Sequence, residues 1–338
     1  MADKSAIEWT DASWNPVTGC TEVTPGCDNC YAKTFAERWR GIPGHYFEQG
    51  FDVVLRPERL DQPLKWTKPR RIFVNSMSDL FHDAVPDAFI GEVFARMGAA
   101  SQHTFQLLTK RHGRMRSLLN RWSEHAANGC TCPDDAPCSV PVDVQYGTWP
   151  LPNVWLGVSV EDQKRANLRI PALLDTPAAI RWLSMEPLLG PVDLGQWLSP
   201  VDFPPCWDDH EPSASCGRCI QPDWVVVGGE SGRGARPMHP HWARSLRDRC
   251  AAADVPFFFK QWGEWAPTSE TISARDPKTM AMHPAGMVAL TPDNPFNPFE
   301  RGHPHWDALR RFGKKAAGRL LDDREWNEYP AAVPLAVR

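Results

Sequence analysis

A run of about 18 consecutive apolar residues, the length a membrane-crossing helix needs, occurs nowhere in this chain. The first ten residues, MADKSAIEWT, lack the apolar centre of a secretory leader. The expectation is a cytoplasmic protein with no membrane attachment. Net positive charge is also missing: 37 Lys and Arg against 41 Asp and Glu leave −4. No general basic field announces nucleic acid or an anionic surface, although a local patch stays open. No G-x-G-x-x-G and no P-loop spacing follows an apolar run. GGESGRGARP (228–237) has the glycines without the spacing, which leaves a dinucleotide site unsupported. No internal repeat or low-complexity tract is present.

What the chain does have is cysteine, tryptophan and short apolar runs. With 42% hydrophobic residues over 338 positions it can bury a large core, and most of its 16 tryptophans are expected there or as loop anchors. In a reducing compartment clustered cysteines bind metal more often than they form disulfides. Nine of the ten fall into three groups: Cys20, Cys27 and Cys30; Cys130, Cys132 and Cys138; Cys206, Cys216 and Cys219. Cys250 shares the helical stripe Trp242, Leu246, Ala253 and reads as core.

Six apolar runs recur: RIFVNSM (71–77), TFQLLTK (104–110), NVWLGVSV (153–160), AIRWLSM (179–185), DWVVVGG (223–229) and PFFFKQW (256–262). Near-continuous runs suit strands buried on both faces of a parallel sheet. Helical patterns lie between them, in PDAFIGEVFARMGAAS, HGRMRSLLNRW, EDQKRANLRIPALLDT and HPHWARSLRDRCAAADV. YAKTFAERW (31–39) would be a first helix and FDVVLRP (51–57) a further strand. The alternation predicts an α/β fold, a partial or full (β/α) barrel of about six to seven units. Residues 1–265 would form the barrel, with cysteine-rich insertions at 123–152 and 199–222. Residues 266–338 would form an extension packed on it, with a short helix near WDALRRFGKKAAGRLL.

Each run ends in polar or charged residues: Asp79, Lys110 with Arg111, Ser159 and Glu161, Glu186, Glu230, and Lys260 with Gln261. In a barrel such residues converge on the C-terminal mouth. Glu161, Glu186, Glu230, Lys110 and Lys260 are therefore expected to face one cavity. Glu186, Glu230 and Lys260 are the catalytic candidates, and the mixture of signs suits a zwitterionic or polar ligand.

Cys20, Cys27 and Cys30 stand in C-x6-C-x2-C spacing before the first helix. C-x2-C is ordinary zinc spacing. Three thiolates without a local fourth also suit a [4Fe–4S] cluster with one open iron, where S-adenosylmethionine can bind. Spacing leaves both readings open. A zinc nucleobase deaminase, whose P-C-x-x-C half is matched by PGCDNC, is excluded because no H-x-E occurs. The other two triads are expected to share a structural zinc or a second cluster on the face opposite the mouth, with His210 as an extra candidate ligand.

NPVTGCTEVTPGCDNCYA, VNSMSDLFHDAVP, TFQLLTKR, NVWLGVSVEDQ, LSMEPLLGPVDL and VVGGESGRGARPMHP…FFFKQWGEW together resemble the phage-associated three-cysteine-motif family. Its members are often encoded beside a three-Cys-motif partner protein, and the family resembles radical-SAM barrels, among them the spore photoproduct lyase group. The likeness spans roughly residues 5–265 and KKAAGRLLDDREWNEYP. It implies a [4Fe–4S] cluster on Cys20, Cys27 and Cys30, S-adenosylmethionine at the open iron, and a partial barrel. It also implies a partner protein and a nucleic-acid or nucleotide-derived substrate. Most radical-SAM enzymes space these cysteines C-x3-C-x2-C, three residues shorter than here. Their G-G-E-like segment, which meets the methionine amino group, ends an early strand; GGE here (228–230) ends a late one. Asn75, Ser76 and Asp79 are then the implied contacts for that group, with Lys110, Ser159 and Glu161 as further cofactor contacts. Two other classes fit the residues: a zinc-dependent hydrolase or nuclease using Glu186, which three thiolates make a poor Lewis acid, and a metal-stabilised binding module without catalysis.

Overall fold

The computed structural model describes residues 5–128, 140–141, 148–199, 220–299 and 304–331. The second and third cysteine triads (Cys130, Cys132, Cys138; Cys206, Cys216, Cys219) and His210 lie outside the described residues.

The six apolar runs are strands β4 (Arg71–Val74), β5 (Thr104–Thr109), β6 (Val154–Ser159), β7 (Ile180–Met185), β8 (Trp224–Gly228) and β9 (Phe257–Gln261). A seventh strand, β1 (Ala12–Trp14), precedes them and is missing from the sequence reading. Three residues at a sheet edge make no apolar run to detect. All seven pair in parallel in the order β1-β4-β5-β6-β7-β8-β9. A strictly sequential parallel order is that of a barrel wall, and β1 and β9 do not pair, so the wall is open.

The wall is curled. β4 and β8 are separated by three strands, about 19 Å on a flat sheet. Yet the ring of Trp9 lies 4.8 Å from Phe73 of β4 and 6.2 Å from Trp224 of β8. Period-2 alternation explains which residues meet there. Phe73, Gln106, Trp155 and Ile180 share one register row, and Trp182 pairs with Trp224. These inward positions form an aromatic plug around Trp9, Trp155, Trp182, Trp224 and Phe258. The outward positions pack beneath helices in the larger core.

The helices are α1 (Tyr31–Glu37), α2 (Asp87–Ala99), α3 (His112–Asn128), α4 (Gln163–Leu174), α5 (Pro240–Ala252) and the single turn α6 (Lys314–Ala317). Helix α3 runs past residue 123, where the sequence suggested a loop. Asp162 caps α4, its Oδ1 accepting from Arg165 N at 2.9 Å. Among the described residues, no helix separates β7 from β8.

FDVVLRP does contain a strand, β3 (Val54–Leu55), but it pairs antiparallel with β2 (Val17–Thr18) outside the barrel wall. Neither segment alternates with a helix long enough for a crossover. After β9 comes a four-stranded antiparallel sheet of β10 (Trp265–Pro267), β11 (Thr279–Met282), β12 (Val288–Ala289) and β13 (Asp307–Arg311). The expected tail helix is thus half strand. The last described segment returns along β9, with Phe259 N donating to Trp326 O at 3.0 Å, and Tyr329 closes the base of the plug. Among the described residues, no helix is long and apolar enough to cross a membrane.

Candidate functional site

Above the aromatic plug, the C-terminal ends of the strands surround a cavity of about 610 Å³. Its composition follows from the register. One step deeper than Ser159, Ser184 and Lys260, the inward positions are Gly157, Trp182 and Phe258, so the wall changes from aromatic to polar at its rim. Cys20, Cys27 and Cys30 line the cavity from the loop that follows β1, and all three are free thiols.

Most of the residues singled out from the sequence also line it: Asn75, Ser76, Asp79, Lys110, Ser159, Glu186, Glu230 and Lys260. They do not all have free side chains. Lys260 pairs with Glu186 at 3.3 Å, and Lys110 donates to Ser159 Oγ at 3.2 Å. Ser76 exchanges hydrogen bonds with Asn15 at 3.2 Å. Asp79 is fully engaged: it accepts from Thr109 Oγ1 at 2.7 Å, from Phe81 N and Lys110 N at 3.0 Å, and from Arg111 Nη1 at 3.3 Å. Its carboxylate holds the rim together and has little left for a ligand.

Glu161 corrects the sequence expectation most clearly. It does not line the cavity. The carboxylate is fully buried and pairs with the equally buried Arg169 of α4 at 2.8 Å, and its other oxygen accepts from Thr24 Oγ1 at 2.6 Å. Position at a strand end fixes the rim but not the direction of the side chain, and Arg169 turns it away. Glu230 is a second partial correction: it borders the cavity, yet Arg236 donates to both of its oxygens at 2.6 and 2.8 Å and Asn29 Nδ2 donates at 3.1 Å. Burial works against ionisation here, but these donors together hold the Glu230 carboxyl below its usual range.

These contacts share a target. Arg111 donates to Cys20 Sγ at 3.3 Å and to Thr21 O at 3.2 Å. Glu161 holds Thr24. Arg236 reaches Asp28 at 3.0 Å and Pro25 O at 2.7 Å. The charges that follow β5, β6 and β8 therefore grip successive parts of the cysteine loop across the barrel mouth. Two glycines make the fit possible. A Cβ on Gly19 (φ +85°) would lie 1.9 Å from Asp52 O, and one on Gly26 would lie 2.5 Å from Glu161 Oε1. His82 adds a further tie: its Nδ1 accepts from Ala84 N at 3.1 Å, so Nε2 carries the proton toward Thr21 Oγ1 at 2.9 Å. Arg169, Arg236, Asn29 and His82 were not singled out from the sequence, because each acts through a loop distant along the chain.

Burial pushes the Cys20 thiol up to about 11, Asp79 adds to the shift, and Arg111 opposes it. Metal ligation at this sulfur would release a proton. Among the described residues, no three His, Cys, Asp or Glu side chains gather as ligands of one ion. A single zinc needs its sulfurs about 2.3 Å from one point. A [4Fe–4S] cube takes each thiolate on a different iron, so its three sulfurs surround one compact cluster and do not converge on a point. All three thiols line the same cavity.

Fold and site define a parallel α/β half-barrel with a cysteine-lined cavity at the C-terminal ends of its strands. The chain belongs to DUF5131, a family of proteins of unknown function whose pattern covers residues 4–330. No curated protein and no solved structure matches it.

Proposed function

We propose that this protein is an iron–sulfur enzyme of radical-SAM type. Cys20, Cys27 and Cys30 would hold a [4Fe–4S] cluster, and S-adenosylmethionine would occupy the open iron within the cavity. The substrate would be a nucleic acid or a nucleotide-derived molecule. One observation carries the reading: three free thiols, in the loop after the first strand of a sequential parallel half-barrel, line one cavity together with Lys110, Glu186 and Lys260.

When bound, the reduced cluster would supply one electron to the sulfonium of S-adenosylmethionine. The chain's own groups have other tasks. Arg111 donates to the sulfur of Cys20, a charge-assisted contact that favours the thiolate form required of a ligand. Glu186 and Lys260, with Ser184 Oγ 3.5 Å from Glu186, form a pair that can hold or pass a proton at the cavity wall. The tryptophan plug closes the cavity from below and excludes water from that side. The cytoplasmic setting, the three-Cys-motif partner protein and a zinc or second cluster on the two outlying triads belong to the same proposal.

The test is anaerobic purification and reconstitution with iron and sulfide. The wild type should show broad visible absorbance that is lost in Cys20→Ala, Cys27→Ala and Cys30→Ala and kept in Cys250→Ala. Reduction with S-adenosylmethionine should yield 5′-deoxyadenosine. A protein that refuses iron and instead holds one zinc at these thiols overturns the reading, in favour of a zinc hydrolase or a metal-stabilised binding module.

A further inference from the structure

Asn75 follows β4 in the left-handed region, at φ 63°, which Asn adopts more readily than most residues. Its backbone N–H donates to Trp14 O at 2.8 Å, so its place on the rim is fixed. The residue is only 4% exposed and lines the cavity, and its side chain has no hydrogen-bond partner at Oδ1 or at Nδ2. Buried amides are almost always paired, because an orphaned donor or acceptor keeps the full cost of losing water. An amide with both ends unmet, facing a cavity, points to a ligand that meets both.

The surroundings narrow the ligand's chemistry. Phe73, one step deeper on the same face of β4, lines the cavity with Leu108 and Trp9, giving an apolar floor with aromatic faces. Lys110 stands one step above Leu108, just past the end of β5. The other three cavity lysines each have a carboxylate: Lys33 has Glu22, Lys260 has Glu186 and Lys314 has Glu8. Among the described residues, Lys110 has only the hydroxyl of Ser159. An ammonium group would use the Asn75 oxygen alone, leave Nδ2 orphaned and lie on the same rim as a like charge. The amino-group contact implied by the family resemblance therefore does not suit Asn75. A nucleobase edge does: the adenine amino group donates to the amide oxygen while its ring nitrogen accepts from Nδ2, bases rest on aromatic faces, and an anionic group would complete Lys110.

We propose that the cavity contains an adenine-recognition subsite, in which Asn75 makes a two-point contact with the base edge and Lys110 holds an anionic group of the same ligand. The inference deepens the preceding reading by naming a ligand class, and its test needs no iron, so either can fail alone. Adenine with an anionic group could come from a substrate nucleotide or from an adenosyl amino acid, and the test separates the two.

The full-length protein as purified, without reductant, is titrated calorimetrically with AMP, adenosine, CMP and S-adenosylmethionine. AMP should bind about tenfold or more tightly than CMP and more tightly than adenosine. Asn75→Asp and Asn75→Gly should each weaken AMP about tenfold or more. Asn75→Gly should unfold no earlier than wild type, since glycine accepts the backbone and removes the orphaned amide. Lys110→Met should erase the preference for AMP over adenosine. If S-adenosylmethionine binds with this dependence on Asn75 and AMP does not bind, the subsite stands and its occupant is the adenosyl compound. The proposal is overturned if the folded wild type binds neither, if CMP binds as well as AMP, or if the Asn75 variants bind as wild type does.

Discussion

Arg236 closes on Glu230 with Nη2 2.6 Å from Oε1 and Nε 2.8 Å from Oε2, a two-point contact between the end of β8 and the segment that follows it. The same guanidinium reaches Asp28 and Pro25 O in the cysteine loop. Arg236→Gln should therefore loosen residues 25–29 as well as the strand end. A loss of about 1–3 kcal/mol is expected for charged hydrogen bonds of this kind. Hydrogen exchange should rise in the loop and at 228–230 together; exchange confined to 228–230 would show that the loop is held by other means.

Glu161 and Arg169 are both buried, at 0% and 3% side-chain exposure. A buried pair adds little net stability over an apolar replacement, but removing one partner strands the other charge. Glu161→Ala should cost about 3–5 kcal/mol, visible as a lower denaturant midpoint at unchanged slope. Because Thr24 also loses its acceptor, the proposed iron uptake at the cysteines should fall in parallel. A drop below 1 kcal/mol would mean that Arg169 finds another partner.

The strands and the cysteine loop were legible in the sequence because their causes are local. A strand buried on both faces must be apolar at nearly every position, and β6, VWLGVS, is buried at all six. Parallel pairing forces crossovers, so helices had to lie between most runs. β1 was not legible, since ASW is too short to carry a pattern. The rim was partly legible: Lys110, Glu186, Glu230 and Lys260 line the cavity as their strand-end positions suggested, while Glu161 does not. Which charge faces the cavity and which grips the loop depends on Arg111, Arg169 and Arg236. Their partners lie up to 211 positions away along the chain, and no short-range pattern encodes that pairing.

His239 caps α5 and is fully buried. Its Nδ1 accepts from His241 N at 3.0 Å, so Nε2 holds the proton, 3.1 Å from Met282 O and 3.3 Å from the Asp307 carboxylate. Burial pushes the ring down to about 4; Asp307 and Met282 O pull the other way, and His241 and His283 add to the fall. A folded value below the unfolded one, about 6.5, means that the unfolded chain takes up the proton first as pH falls. Stability contributed here is present above about 6.5 and declines as pH drops toward 4. Thermal midpoints between pH 7 and 4 should fall less steeply in His239→Asn, which can still cap the helix but does not titrate. Equal slopes would place the acid sensitivity elsewhere.

Gly19 offers the sharpest test of how the cysteine loop is seated. At φ +85° its backbone is in a region that side chains avoid, and a Cβ would sit 1.9 Å from the carbonyl oxygen of Asp52. The adjacent Cys20 N donates to Phe51 O at 3.1 Å, and Gly19 N donates to Met77 O at 2.9 Å. The turn is thus pinned between the strand β3 approach and the end of β4. Gly19→Ala combines a positive-φ penalty of about 1 kcal/mol with a clash against backbone, which cannot rotate away as a side chain would. The expected outcome is a loss of about 3 kcal/mol or more and displacement of Cys20 from Arg111. Gly41 is a matched control: its φ is +77°, but a Cβ there meets nothing within 4 Å. Gly41→Ala should cost only the conformational part, about 1 kcal/mol, and leave metal uptake at wild-type level. If both variants lose stability and metal equally, the contact with Asp52 does not seat the loop.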